Sequence, residues 1–268
     1  MSDVVRMAAI QMVSTPRVEE NKLTVERLVR GAAAEGATLV VLPEFFPMIG
    51  ATEEARLAIR ETFSGGPLQS MLSQLARELN IWLVGGSIPM AGSDERRALN
   101  STLVFDPQGH QVSRYDKMHL FGFKAGAEAY DESLSIEPGD SPVAFETPFA
   151  RIGLSICYDL RFPEYFRALG HVDILVLPAA FTATTGEAHW EVLLRARAIE
   201  NQCYVIASAQ GGRHETGRKT WGHSMIIDPW GEVLAVLPTG EGWVSADFKR
   251  QRLETVRHRL PALKHRRI

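Results

Sequence analysis

The stretch IGLSICYDLRFPEYFRAL, residues 152–169, gives the first indication of how this 268-residue chain folds. Its first five residues are apolar except for one serine, which is typical of a strand buried on both faces. Pro163 suits the first turn of a helix, which we expect to run to Leu169. Cys157 is therefore predicted to lie at a tight turn between a buried strand and a helix.

Short apolar strands and helical segments alternate on both sides of this stretch. We expect further strands at residues 5–13, 38–43, 81–88, 101–105, 112–115, 174–177, 204–208, 224–227, 233–236 and 243–246. We expect further helices at residues 18–36, 53–62, 68–80 and 188–201. This alternation predicts an α/β protein whose sheets are covered by helices, in a single domain over residues 1–268.

Three local features carry more specific expectations. Thr184 and Glu187 resemble a capping box for helix 188–201, and Val192, Ala196 and Ile199 are expected to give that helix an apolar face. Residues 122–140 are rich in glycine and acidic side chains and are expected to form a loop. The basic C-terminus is expected to be a solvated tail or a subunit contact, and its residues are Arg257, Arg259, Lys264, Arg266 and Arg267.

The composition argues against several classes of protein. Hydrophobic residues make up 45% of the chain, and 29 basic against 32 acidic side chains leave a net charge of −3. This balance gives no reason to expect a nucleic acid or an anionic membrane as partner. No apolar run approaches the ~18 residues of a membrane span. Two cysteines cannot form a disulfide framework, so we expect a reducing compartment, by default the cytoplasm.

Three reactive side chains of complementary type follow predicted strands. Glu44 follows TLVVLP, Lys117 follows VSRYD and Cys157 follows IGLSI. Since α/β sheets bind ligands beyond the carboxyl ends of their strands, the three side chains could converge. Each also has a simpler interpretation. Glu44 could be a surface carboxylate, Lys117 an ordinary exposed lysine and Cys157 a buried core thiol. Cys203 lies in mid-strand among apolar neighbours and is expected in the core.

Together the three groups would make a nucleophilic site. A thiol with its reference pKa near 8.5 is mostly protonated at pH 7 and needs an adjacent base or cation. Glu44 would take the thiol proton and later deliver it to the leaving amine. Lys117 would favour the thiolate and donate to the oxyanion, and the backbone N–H of Tyr158 would be the second oxyanion donor.

Other catalytic arrangements have less support. His119, His189 and His223 are candidates for a Cys–His pair that the sequence does not exclude. No two of the eight histidines have metal-ligand spacing with a third ligand nearby. The segment GRHETGRKT, residues 212–220, resembles a P-loop, but Arg218 stands where that motif requires lysine.

Three segments resemble the signature segments of the nitrilase superfamily, the carbon–nitrogen hydrolases: LPEFF (42–46), YDKMHLF (115–121) and GLSICYDLRFPE (153–164). The resemblance covers essentially the whole chain. It implies a four-layer α-β-β-α sandwich, a Glu44–Lys117–Cys157 catalytic triad, no cofactor, and a homodimer or larger homo-oligomer. It also implies that Glu132, in AYDES, is a second active-site glutamate.

Within this family the chain looks closest to the Nit branch. Residues 178–214, 222–231 and 259–267 are similar to amidases that hydrolyse deaminated glutathione to 2-oxoglutarate and cysteinylglycine. The omega-amidases, which act on 2-oxoglutaramate, share the HWE helix and the triad and are the nearest alternative. Another aliphatic amidase or nitrilase, or a non-catalytic member that binds a metabolite, are further alternatives.

Both of these substrates carry an α-keto acid carboxylate, which calls for a cation or backbone donors beyond Lys117. Arg161, Arg213, Arg218 and Lys219 are the basic residues near the motifs, and Arg161 is favoured as a structural ion-pair partner beneath the nucleophile turn. The expected substrate contacts are Phe181, Thr182, Thr185 and Arg213, although the threonines could merely cap the following helix. A peptide leaving group would lie toward residues 122–130 or 211–219.

Overall fold

The computed structural model describes residues 4–50, 52–63, 65–126 and 128–267, so the expected domain, 1–268, begins and ends outside the described residues. The elements of its first half are β1 (Val4–Gln11), α1 (Val18–Ala34), β2 (Leu39–Val41), α2 (Glu53–Ala58), α3 (Pro67–Leu79), β3 (Trp82–Val84), β4 (Ile88–Ala91), β5 (Ala98–Phe105), β6 (Gln111–Asp116), β7 (Gly122–Ala125), β8 (Glu128–Asp131) and β9 (Ile136–Glu137). The second half contains β10 (Ala144–Glu146), β11 (Arg151–Leu154), α4 (Pro163–Ala168), β12 (Ile174–Ala179), α5 (Ala183–Asn201), β13 (Tyr204–Ala209), β14 (Gly211–Arg213), β15 (Lys219–Trp221), β16 (Ser224–Ile227), β17 (Val233–Leu237), β18 (Gly242–Lys249), α6 (Arg250–Arg259) and α7 (Ala262–His265). Within these ranges every helix is too short or too polar to cross a membrane.

Two sheets form the centre of the fold. The first has eight strands in the order β18-β1-β2-β3-β5-β4, with β6 and β9 paired to β5. The second has six strands in the order β10-β11-β12-β13-β16-β17. The strands β1, β2 and β3 are parallel, as are β11, β12 and β13, whereas the flanking strands are antiparallel.

The alternation of side chains along β1 shows how the layers stack. Met7 and Ala9 belong to a buried cluster that also contains Ile206 of β13, so they lie between the two sheets. Ala8 belongs to a second cluster with Leu28 of α1 and covers the opposite face. Helices α1 and α3 pack on the first sheet, and α4 and α5 pack on the second. The four-layer α-β-β-α sandwich is therefore confirmed.

Segment 81–88 was expected to be one strand, and this expectation is wrong. Gly86 has a φ of +56° and turns the chain between β3 and β4. Both strands pair antiparallel with the same edge of β5, opposite the edge that carries β6. The Cα of Gly86 also approaches the loop before Glu44 so closely that a Cβ there would lie 2.2 Å from the carbonyl oxygen of Pro43.

Residues 122–140 are also more ordered than expected. They hold the β7–β8 hairpin, a 3-10 turn at Glu132–Leu134 and strand β9, which pairs with β5. Most of the described residues of the hairpin are exposed or half-buried, so its sequence shows little of the apolar alternation that predicts a strand.

Helix α5 begins at Ala183, five residues before the predicted start at residue 188. Its N-cap is Thr182, whose side chain accepts a hydrogen bond from the N–H of Thr185 at 3.3 Å. The predicted capping box of Thr184 and Glu187 is therefore wrong. A threonine two residues earlier satisfies the end of the helix instead.

The predicted apolar face of α5 is exposed to solvent. Val192 and Ile199 are 69% and 48% exposed. The opposite face packs in the core through Leu194 and Ala198 and also buries the polar Arg197. Arg197 donates to the carbonyl oxygen of Leu160, which explains how a charged residue occupies the buried face.

The basic C-terminus is helical where a solvated tail was one expectation. Arg257 on α6 donates to Asp173 at 2.9 Å, and Leu253 and Val256 of the same helix are buried. Arg257 is therefore part of the fold. The other four basic residues are exposed, and these are Arg259, Lys264, Arg266 and Arg267.

Gly86→Ala is expected to destabilise the protein more than an alanine at another positive-φ glycine. Both the backbone conformation and the contact with Pro43 oppose a Cβ, so we expect a loss of about 3 kcal/mol in the free energy of unfolding. Gly36 has a φ of +90° and open space around its Cα, so Gly36→Ala should lose only about 1 kcal/mol. Urea unfolding measures both values, and equal losses would contradict the proposed close contact.

Candidate active site

Glu44 lies three residues after the end of β2 and is 1% exposed. Its Oε1 accepts hydrogen bonds from Lys117 Nζ and Asn100 Nδ2, both at 2.9 Å. Its Oε2 accepts from the backbone N–H of Ala180 at 2.8 Å. The three donors satisfy the hydrogen bonds of this buried carboxylate. The simpler interpretation of Glu44 as a surface carboxylate is therefore wrong.

Lys117 follows β6 and its side chain is fully buried. Nζ lies 2.9 Å from Glu44 and 2.7 Å from Glu132. Burial disfavours the charged form, but the carboxylates of Glu132 and Glu44 outweigh burial and raise the pKa of Lys117 well above its ordinary value. Lys117 is therefore a permanent buried cation, and the interpretation as an ordinary exposed lysine is wrong.

Glu132 begins the 3-10 turn that follows β8 and is 15% exposed. Its Oε2 accepts from Lys117 Nζ and from the backbone N–H of Phe121 at 2.8 Å. The glutamate that the family resemblance implied therefore lies in the same cluster as Glu44 and Lys117.

Cys157 begins a 3-10 turn, Cys157–Arg161, at the end of the second sheet, and is buried. Burial and the charge of Glu44 raise the pKa of its thiol well above the usual value, although Lys117 and the Ala180 N–H act in the opposite direction. The thiol is therefore within electrostatic range of Glu44, Lys117 and Glu132. Its φ of +46° is unusual for a residue with a side chain and is typical of strained functional turns.

A buried carboxylate that the sequence analysis did not single out holds this turn. Asp159 Oδ2 accepts from the hydroxyl of Tyr115 at 2.7 Å and from the N–H of Ile156 at 2.8 Å. Its Oδ1 lies 2.7 Å from Nδ1 of His119 and also accepts the N–H of that residue. An aspartate two residues after the nucleophile, inside an otherwise apolar strand–turn segment, is the sequence feature that could have identified it.

The three candidate histidines for a Cys–His pair have other contacts. His119 is bound to Asp159, His189 lies 3.3 Å from Arg161, and His223 lies 2.9 Å from the carbonyl oxygen of Trp221. None of the three lines the cavity at Cys157. In the part of the chain that the structure describes, no three His, Cys, Asp or Glu side chains are grouped to hold a metal ion.

A small cavity that opens partly to solvent lies at Cys157. Its lining residues are Phe121, Cys157, Tyr158, Ala180, Phe181, Thr182 and Thr185. Three of the four expected substrate contacts are therefore at the cavity, and Thr182 also caps α5. Arg213, the fourth, is exposed on β14 and does not line the cavity.

Arg161 does not have the role for which it was favoured. Its guanidinium lies 5.7 Å from the ring centroid of Tyr158 and 5.3 Å from that of Phe181, two residues that line the cavity. Among the described residues no carboxylate forms an ion pair with it. The expected structural ion pair is therefore not found, and an uncompensated cation borders the cavity.

Comparison with known proteins identifies the family to which the chain belongs. The model of the family "Carbon-nitrogen hydrolase" matches residues 6–258, so the chain belongs to the carbon–nitrogen hydrolase family. It is a hydrolase that acts on carbon–nitrogen bonds other than peptide bonds.

Several individual proteins of this family are similar to the chain over nearly its whole length. The chain is 43% identical over 270 residues to the deaminated glutathione amidase of Homo sapiens, covering 97% of this chain and 82% of the relative. It is 38% identical over 266 residues to the omega-amidase NIT2 of Homo sapiens, covering 98% and 95%. The solved structure of the C. elegans NitFhit protein is similar with a TM-score of 0.88 and 36% identity, and it matches 98% of this chain, which spans 65% of that longer chain.

Glu44→Gln is expected to shift the alkylation of Cys157 to lower pH. Because the pKa of this thiol is raised, labelling by iodoacetamide should increase only as the pH rises, and removing the charge of Glu44 lowers that pKa. Mass spectrometry of the labelled peptides across a pH series gives the midpoint. Cys203, whose pKa burial raises to about 12, is the internal control and should stay unlabelled. An unchanged or higher midpoint in the variant would contradict the electrostatic interpretation.

Proposed function

We propose that this chain is a thiol amidase that hydrolyses deaminated glutathione to 2-oxoglutarate and cysteinylglycine. The observation that carries the proposal is the buried cluster of Glu44, Lys117, Glu132 and Cys157 beside a cavity. The names of relatives that are about 40% identical over nearly the whole chain support the substrate.

In the first half of the proposed reaction, Cys157 Sγ attacks the amide carbon. Glu44 accepts the thiol proton and transfers it to the nitrogen of the leaving amine, the C–N bond breaks, and a thioester to Cys157 remains. Lys117 Nζ donates to the oxyanion with its third N–H, since two face Glu44 and Glu132. The Tyr158 N–H is the second donor. Within the described ranges this N–H has no other hydrogen-bond partner, which leaves it available.

In the second half, a water molecule takes the place of the leaving amine. Glu44 accepts a proton from this water as its oxygen attacks the thioester carbon, and the thiolate leaves and is reprotonated. The carboxylic acid product then departs. Glu132 holds Lys117 in place throughout, because its Oε2 accepts from the ammonium and is itself fixed by the N–H of Phe121.

Arg161 is our candidate for binding the α-keto acid carboxylate. It borders the cavity through Tyr158 and Phe181, and no carboxylate of the described chain neutralises it. A planar guanidinium matches the geometry of a carboxylate. Thr182 and Thr185 line the same cavity and would contact the acyl chain.

The second candidate function is hydrolysis of 2-oxoglutaramate, which the similarity to omega-amidase NIT2 favours. Purified protein would be assayed for kcat/KM on deaminated glutathione, 2-oxoglutaramate, N-carbamoyl amino acids and an aliphatic nitrile. Preference for deaminated glutathione supports the proposal, and preference for 2-oxoglutaramate supports the alternative. Turnover of none of these compounds, with Cys157 inert to alkylation, would indicate a member that only binds a metabolite.

Substitutions in the cluster are expected to remove activity while the fold persists. Cys157→Ala should abolish hydrolysis, and Glu44→Gln should lower kcat by about 10²–10⁴-fold because proton transfer is lost. Lys117→Ala should cost about 3 kcal/mol of transition-state stabilisation. Steady-state kinetics measure these effects, with circular dichroism as the control for folding. A Cys157→Ala variant that keeps most of its amidase rate would exclude the mechanism.

We further propose that the protein is a cytoplasmic homodimer or larger homo-oligomer. Val192 and Ile199 on α5 form an exposed apolar face, which Trp230, 58% exposed, extends from the loop after β16. That loop packs on α5, since Arg195 donates to the carbonyl oxygen of Gly231 at 2.9 Å. Contiguous apolar surface of this kind is typical of subunit contacts. The cytoplasm suits an enzyme whose thiol must stay reduced.

Val192→Arg is expected to dissociate the oligomer, because it places a charge on this apolar face. Size-exclusion chromatography with light scattering measures the mass. Leu23 on α1 is a matched control, since it is 67% exposed and lies on the other outer layer of the fold. A mass that Val192→Arg leaves unchanged, or that Leu23→Arg reduces equally, would exclude this face as the subunit contact.

A further inference from the structure

A second arginine, Arg218, contacts a residue that lines the cavity. Arg218 lies on the hairpin between β14 and β15, is half-buried, and donates from Nη2 to the carbonyl oxygen of Ala180 at 3.3 Å. Ala180 lines the cavity and its N–H holds Glu44. The guanidinium of Arg218 also lies 5.5 Å from the ring centroid of Tyr130 on β8. Arg218 is therefore on the side of the cavity where Glu44 is held.

The hairpin that carries Arg218 is fixed against the wall of the cavity. The N–H of Trp221 donates to the carbonyl oxygen of Phe181 at 2.9 Å, and Thr220 forms a β-bridge with Thr182. Within the hairpin, the carbonyl oxygen of Arg218 accepts from the N–H of His214 at 2.8 Å. These contacts hold the backbone of Arg218 in position, so its side chain is available as a preorganised donor.

The charge of Arg218 is not neutralised by the described residues. No carboxylate of the described chain forms an ion pair with it, and its Nε is buried without a hydrogen-bond partner among those residues. A guanidinium has five N–H donors, and the bond to Ala180 uses one of them. Buried donors without partners are costly, which makes the side chain a prepared site for an anion.

We propose that Arg218 binds the terminal carboxylate of a peptide leaving group and so favours deaminated glutathione over substrates that release ammonia. This inference rests on the proposed function, in which Glu44 protonates the leaving amine and the leaving group therefore lies on the Glu44 side. An extended cysteinylglycine spans about 7 Å from its amine to its carboxylate. The single residue Ala180 connects Glu44 with Arg218, so the two positions are separated by a distance of that order.

This assignment gives the two arginines different tasks. Arg161 would bind the carboxylate of the acyl part, which deaminated glutathione and 2-oxoglutaramate share. Arg218 would bind the carboxylate that only the peptide leaving group carries. Loss of Arg161 should therefore weaken the binding of both substrates. Loss of Arg218 should weaken the binding of deaminated glutathione only.

The experiment compares Arg218→Gln, Arg218→Lys and Lys219→Ala on three substrates: deaminated glutathione, its C-terminal glycinamide analogue, and 2-oxoglutaramate. Arg218→Gln should lower kcat/KM for deaminated glutathione by about 10- to 100-fold, mainly through KM, and should leave the other two within about twofold. Arg218→Lys should retain part of the preference. Lys219 is exposed on the same hairpin, so Lys219→Ala should behave like the unaltered chain.

The unaltered chain provides a test that needs no variant. It should prefer deaminated glutathione to the glycinamide analogue by the same factor that Arg218→Gln removes. Equal losses on all three substrates, or no preference between acid and amide, would overturn the role of Arg218 while leaving the proposed function intact. If the unaltered chain does not hydrolyse deaminated glutathione at all, the proposed function fails and this inference fails with it.

Discussion

The fold is organised around one buried ammonium group. Lys117 Nζ is inaccessible to solvent and lies between the carboxylates of Glu44 and Glu132. These side chains come from the ends of two strands and from a turn after a hairpin, so the cluster ties together parts of the chain that are distant in sequence. Breaking a buried ion pair by removing one partner typically costs about 3–5 kcal/mol, since the other charge is left unpaired. The network is therefore a structural constraint as well as a chemical one.

The charges of this cluster explain why Cys157 rests as a thiol. One ammonium faces two carboxylates, so an ionised Cys157 would add a further negative charge to a buried site that already has an excess of one. The proton can leave Cys157 only if it moves to a neighbouring base, and Glu44 is in contact with the same ammonium. In the proposed mechanism, attack and proton transfer are therefore coupled by the electrostatics of the site.

Much of the fold could be predicted from the sequence, because the central strands are apolar on both faces and end at glycine, proline or polar residues. The expectations failed where local pattern and tertiary contact disagree. Arg197 occupies the buried face of α5 because it binds the carbonyl oxygen of Leu160, and Val192 remains outside, which no hydropathy pattern shows. Gly86 divides a predicted strand because its backbone approaches Pro43, a contact between segments far apart in the chain.

In the candidate site, too, the sequence pattern predicted some residues and the tertiary contacts revealed others. Motif position identified Glu44, Lys117 and Cys157, and the structure buries all three within electrostatic range of one another. The supporting groups were missed because nothing in their own sequence segments marks them: Asn100 lies in a buried strand, and Ala180 contributes only its backbone.

The two arginines at the cavity follow from the same charge balance. A keto acid substrate would add negative charge beside a cluster in which two carboxylates face one ammonium, and this would oppose binding unless cations compensate. Arg161 and Arg218 both border the cavity without a carboxylate partner among the described residues, and they reach it from different elements. In the proposed mechanism the cluster uses its own cation, Lys117, for structure and for the oxyanion, and Arg161 and Arg218 outside the cluster are left to attract the substrate. In that arrangement the substrate-binding residues could vary without disturbing the buried network of Glu44, Lys117 and Glu132.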